Sequence, residues 1–96
     1  MATIRIHRYG VNADDLDEFT SRRGALISAM RTRHPGLVET RLIELGGGTY
    51  IDTWRWESPE QMGAAFADLP NIPEARAAMS LTQNPSADDG DIIDEQ

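Results

Sequence analysis

Thr49–Gln61, TYIDTWRWESPEQ, is the stretch that decides the fold. Tyr50, Asp52, Trp54 and Trp56 alternate with Thr49, Ile51, Thr53 and Arg55, the two-residue period of a strand. The pattern stops at Glu57 and passes into a helix start. Ser58 takes the N-cap place, Pro59 the first helical place and Gln61 the third. There a hydroxyl accepts from an orphan amide, proline needs no donor, and the Gln side chain reaches back. Both tryptophans of the chain lie on one side of this strand, so a pocket for a flat organic ligand is expected to be lined from here.

Upstream, Gly46, Gly47 and Gly48 turn the chain into this strand from another, Leu37–Leu45, so the two form an antiparallel hairpin. Leu37, Ile43 and Leu45 fall in one phase of that second strand and Val38 and Leu42 in the other, which implies that both sheet faces are covered. Further back, Thr3–Tyr9 alternates as a first strand, with Ile4, Ile6 and Arg8 on one face and Thr3, Arg5, His7 and Tyr9 on the other. Gly10 ends it. Asn12 and Asp15 resemble a capping box for a first helix whose apolar positions Leu16, Phe19, Leu26, Ile27 and Met30 keep a 3.6-residue period, with Arg22, Arg23, Arg31 and Arg33 toward its outer and C-terminal parts. His34, Pro35 and Gly36 close it.

Downstream of the junction, Met62, Ala65, Phe66 and Leu69 make a short amphipathic helix that Pro70 terminates. Pro73 restarts a helix to about Leu81, with Ala75, Ala78 and Met79 inward, and Asn84 and Pro85 stop it. The domain is expected to span residues 1–85, followed by an acidic tail or arm, 86–96, in which Ile92 and Ile93 form a weak last strand on an edge or on a partner.

Composition narrows the function. The 96 residues make one domain, too short to cover two apolar sheet faces by itself. Five of the net seven negative charges sit in the tail, at Asp88, Asp89, Asp91, Asp94 and Glu95, which leaves a nearly neutral body and no footprint for nucleic acid. Absence of cysteine removes disulfides, thiolate metal sites and thiol nucleophiles. All nine basic residues are arginine, which removes Schiff-base and P-loop lysines. The triple glycine lies between two strands with no helix to follow, so it is no phosphate cradle. No apolar run has the length of a membrane span, and the N-terminus alternates where a signal peptide would be continuously apolar. A soluble, cytoplasmic protein without a metal site is the expectation.

The order strand, helix, strand, strand, helix, weak strand is that of an α+β, ferredoxin-like split βαββαβ unit: an antiparallel sheet with helices on one face. Together with HPGLVETRLIEL (34–45) and the strand ending in Trp56-Glu57-Ser58 ahead of Pro59-Glu60, it resembles the antibiotic biosynthesis monooxygenase family of dimeric alpha-beta barrels. The resemblance implies a homodimer joined through the sheet faces and a cavity in each subunit between sheet and helices. It also implies a choice among cofactor-independent oxygenases of polycyclic phenols, quinol oxygenases, haem-degrading enzymes and members without known activity. Haem-degrading members share a strand-one asparagine, a tryptophan on the second helix and a histidine ligand further on. Here those places fall at His7 or Arg8, at Ala65 and within Glu74–Ala78, and no histidine follows His34. The expected activity is therefore cofactor-independent oxidation of a planar phenolic or polyketide-like molecule. The alternative is a non-catalytic homodimer of the same fold that binds a small planar hydrophobic ligand or serves a structural role.

Within that frame Trp54 and Trp56 are ligand-contact candidates through their flat rings and indole N–H groups, unless they fill the core or a dimer interface. Tyr50 is a candidate donor to a phenol oxygen. Asp52 is a candidate base, or else a solvated or Arg-paired strand carboxylate. His7, the only strand histidine, is the candidate base near neutral pH, with a structural role as the alternative. His34 fits the C-terminal end of the helix dipole.

Overall fold

A computed structural model describes all 96 residues. The chain runs β1 (Thr3–Val11), α1 (Leu16–Arg33), β2 (Leu37–Gly46), β3 (Thr49–Trp56), α2 (Pro59–Ala67), α3 (Pro73–Met79) and β4 (Thr82–Asp91). Short 3₁₀ turns at Ala13–Asp15 and Leu69–Asn71 lead into α1 and α3. The four strands form one antiparallel sheet in the order β2-β3-β1-β4. The expected α+β ferredoxin-like arrangement is the one found.

The strand-to-helix junction forms as its residues require. Ser58 is extended, its Oγ accepts from the Gln61 amide at 3.2 Å, and Pro59 occupies the first turn. The return contact comes through the hydroxyl, which donates to Gln61 Oε1 at 2.9 Å. Gly46, Gly47 and Gly48 all have positive φ, at 95°, 62° and 78°. Positive φ at both central residues is what a type I′ hairpin turn needs, and the strands on either side pair in register from Gly46 opposite Thr49.

Three local readings are corrected. First, β1 does not stop at Gly10 but continues to Val11, and Asn12 makes no capping hydrogen bond from its side chain. Its Oδ1 instead accepts from Gln83 Nε2 at 3.0 Å, tying the start of the helical layer to β4. Second, Leu37 does not share a face with Ile43 and Leu45. A register shift between Leu37 and Glu39 turns Leu37 inward against Trp56 and leaves Ile43 and Leu45 on the other face. Third, the last strand is not at Ile92 and Ile93. It begins at Thr82, and residues 86–91, expected to open an acidic arm, pair with Thr3–Arg8 of β1. Asn84 and Pro85 are not what stops α3, which ends at Met79. They occupy a bulge opposite Tyr9, with Asn84 at φ 52° and proline on an edge strand where its missing donor is tolerated. Beyond it, Ile92 N–H donates to Ala2 C=O at 3.0 Å and Glu95 reaches Arg55 at 2.7 Å.

All helices lie over one sheet face. Phe19, Leu26, Ile27 and Met30 of α1, Met62 and Ala65 of α2 and Ala78 of α3 close over Tyr9, Val11, Leu37, Tyr50, Trp54 and Trp56. The other face carries Ile6, Ile43 and Leu45, which are 38%, 43% and 51% exposed. A single chain therefore buries one side of its sheet and leaves apolar side chains standing on the other. No helix is long and apolar enough to cross a membrane.

Ser58→Ala removes the one side-chain cap of α2 and is expected to destabilise the protein by about 1 kcal/mol. A lower urea midpoint at unchanged slope is the expected result; an unchanged midpoint would show that packing alone holds the junction.

Candidate functional site

The sheet face under the helices is not uniformly apolar, because β1 places Arg5, His7 and Tyr9 on it and β3 places Asp52. Register sets them side by side: Arg5 opposite Trp54, His7 opposite Asp52 and Tyr9 opposite Tyr50. With Phe19, Arg23 and Leu26 of α1, Phe66 of α2, and Ala78 and Met79 of α3, they line a cavity of about 220 Å³ between sheet and helices.

Asp52 organises its floor. This carboxylate is only 4% exposed and accepts four hydrogen bonds. Tyr9 donates its hydroxyl at 2.6 Å, Arg23 donates Nε–H and Nη2–H at 3.0 and 2.8 Å, and Trp54 donates its indole N–H at 2.9 Å. A carboxylate has about four lone-pair sites, and here all are taken. Asp52 has no site left for a substrate proton, so of the two readings offered for it the geometry matches the Arg-paired one. The same network raises the Tyr9 hydroxyl far above its ordinary pKa, first through burial and then through the charge and hydrogen bond of Asp52. Tyr9 is thereby held as a neutral donor.

His7 differs from these groups. Its ring makes no hydrogen bond to another side chain. It stands edge-on to Trp54 at 6.1 Å between centroids and tilted to Phe66 at 6.2 Å. Burial lowers its pKa below 6.5, and Arg5 pushes the same way, while Asp52 opposes them. The imidazole is therefore neutral at pH 7, with a lone pair available to a proton donor in the cavity.

The remaining sequence candidates separate. Trp54 lines the cavity, but its N–H belongs to Asp52, so a ligand meets the ring alone. Trp56 is 0% exposed, packed against Trp54 and Phe66 at 6.5 and 5.8 Å, and does not line the cavity. Tyr50 also lies outside it, donating to Glu44 at 3.0 Å. His34 ends α1 as expected, contacts Asp68 at 2.8 Å and does not line the cavity. Arg5, Tyr9, Arg23 and Phe66 also line the cavity and are not among the site groups singled out from the sequence. Arg5 and Tyr9 share the strand phase of His7, a signal that was present. Arg23 was placed on the outer side of α1, and only its reach to Asp52 brings it inward.

The residues that converge carry a testable energetic consequence. Asp52→Ala leaves the Arg23 guanidinium, whose side chain is 13% exposed, without its partner. Loss of about 3–5 kcal/mol of stability is expected, read as a urea midpoint. A loss below about 1 kcal/mol, the value of a surface pair, would show that the network is not the anchor described.

Neither protein-family models nor curated protein sequences match this chain, whereas solved structures do. SnoaB, a cofactor-independent oxygenase from Streptomyces nogalater, superposes with a TM-score of 0.79 at 20% identity, over 98% of this chain and 95% of that one. Rv0793 from Mycobacterium tuberculosis gives 0.75 at 16% identity over 99% and 98%. A structure solved as an antibiotic biosynthesis monooxygenase gives 0.72 at 12% identity over 98% and 100%. Over nearly its whole length, then, the chain has the ferredoxin-like fold of the antibiotic biosynthesis monooxygenase structures.

Proposed function

We propose that the protein is a monooxygenase-like enzyme that oxidises a small planar phenolic or polyketide-like molecule with dioxygen and no bound cofactor, His7 serving as the base. The observation that carries this reading is the cavity itself: an aromatic and aliphatic chamber whose one ionisable group free of side-chain partners is an imidazole kept neutral by burial. Its likeness to SnoaB, which is a cofactor-independent oxygenase, supports the reaction type.

In this reading the ligand ring lies against Trp54 and Phe66 and its hydroxyl meets His7. A cavity of roughly 150 Å³ takes one benzene ring, so the 220 Å³ here suits one substituted ring or two fused rings. His7 accepts the phenolic proton. The phenolate gives one electron to dioxygen, and the resulting radicals combine to form a C–O bond at the ring carbon para to the oxygen. The imidazolium returns its proton to the peroxide. Loss of the C–H proton then breaks the O–O bond, leaving a quinone carbonyl and one water. The phenol is oxidised by four electrons and dioxygen is reduced by four, so no outside reductant enters.

The exposed apolar face supports a homodimer. Ile43 and Ile51 are cross-strand partners on the side away from the helices, near Ile6 and Leu45. A homodimer through this face covers what one chain of this size leaves in water.

Three outcomes test this reading. His7→Ala is expected to lower oxygen uptake with a planar phenol at least 100-fold, in line with the contribution of a positioned base, while the protein stays folded. Unchanged turnover removes His7 from the reaction. Because neutral His7 is the active form and its pKa is lowered, the rate is expected to be level across pH 7 and to fall with acid only below pH 6.5. Trp54→Phe is expected to remove most of the fluorescence response to a bound phenol and Trp56→Phe to retain it; no response in the unmodified protein favours the non-catalytic structural role. For the assembly, Ile43→Glu is expected to shift the mass in solution from dimer to monomer, and a dimer that persists places the interface elsewhere.

A further inference from the structure

Two arginines line the cavity, and they are held differently. Arg23 is locked on buried Asp52, which three separate side chains satisfy. Arg5 is paired through Nε and Nη2 with Asp89 at 2.7 and 2.9 Å, and Asp89 lies on the edge strand β4 with 43% of its side chain exposed. The bidentate pair sets the orientation of the guanidinium, while the exposure of Asp89 lets solvent screen its charge. The Arg5 Nη1 group has no partner in the protein. Its guanidinium lies 3.7 Å from the centre of the Phe66 ring, the same ring that faces His7. Arg5 and Trp54 are cross-strand neighbours, so the aromatic wall, the base and this cation meet in one chamber.

We propose that Arg5 is the anion-binding group of the cavity: it receives the deprotonated oxygen of a phenolic ligand on Nη1, and Asp89 holds the guanidinium in place and competes for it. The inference rests on the cavity being a ligand site and names its ligand class, an aromatic ring bearing an acidic oxygen. Arg5 supplies both the planar cation that stacks on Phe66 and donors suited to an oxyanion. Asp89 tunes the strength of that cation. No bond other than O–H is broken in this step, and the proton passes to His7 or to solvent.

The test uses 4-nitrophenol, whose absorbance reports its ionisation, with nitrobenzene as the neutral counterpart, on the intact protein, Arg5→Met and Asp89→Asn. An opposite charge at contact distance lowers an acid's pKa by about one unit or more, roughly a tenfold preference for the anion. The intact protein is expected to lower the pKa of bound 4-nitrophenol by that amount. Arg5→Met should abolish the shift and leave nitrobenzene binding unchanged. Asp89→Asn should enlarge the shift, since it removes the competitor; it also serves as the deciding variant if Arg5→Met does not fold. A shift retained in Arg5→Met, or unaltered in Asp89→Asn, overturns the assignment of Arg5. Failure of the intact protein to bind either compound overturns the cavity reading itself, and this inference with it.

Discussion

The carboxylate of Asp52 is the point on which this small protein depends. It joins three elements by charge-assisted or buried hydrogen bonds: β1 through Tyr9, α1 through Arg23, and its own strand through Trp54. A chain of 96 residues has little apolar area to spare for polar groups. It tolerates a buried aspartate and a partly buried arginine because each satisfies the other and the aromatic donors complete the set. The same bonds fix the Trp54 ring as a wall and keep the Tyr9 hydroxyl protonated, so the element that holds the fold together also builds the chamber.

That arrangement divides the polar residues of the inner sheet face by what they have left to offer. Asp52 and Trp54 have no hydrogen-bonding capacity remaining, and Tyr9 has spent its proton on the carboxylate. His7 and part of Arg5 are left over. Burial keeps His7 neutral above its lowered pKa, and the charge of Arg5 adds to the effect. A group with a free lone pair and a group with free donors thus face the same aromatic surface. In the function proposed, their pairing suits ligands that lose a proton and leave an oxyanion behind.

The two faces of the sheet are unlike for a related reason. The inner face mixes charge with aromatic rings and needs the helices to complete it. The outer face carries isoleucines with arginine and threonine between them and has no cover within one chain. The His7 side shift also bears on stability: since the folded pKa lies below 6.5, the unfolded chain binds the proton more readily, and stability falls as pH drops from 6.5 through the folded value.

The sequence by itself determined the first three strands, the helices and their order, because those follow from short-range rules. The alternation in Thr49–Trp56, the Ser58-Pro59-Gln61 cap and the three glycines each act over a few residues, and each forms as read. The same alternation put Asp52 and Trp54 on one face of β3 and His7 in one phase with Arg5 and Tyr9 on β1. Tertiary structure decided the rest. Only strand register sets His7 beside Asp52 and leaves Tyr50 and Trp56 beyond the cavity. Only the packing of α1 on the sheet brings Arg23 to Asp52. Only pairing with β1 makes a ten-residue strand of Thr82–Asp91, a stretch so polar and acidic that its local sequence favours coil. An edge strand takes its stability from its neighbour's backbone rather than from its own side chains, and that information lies at the opposite end of the chain.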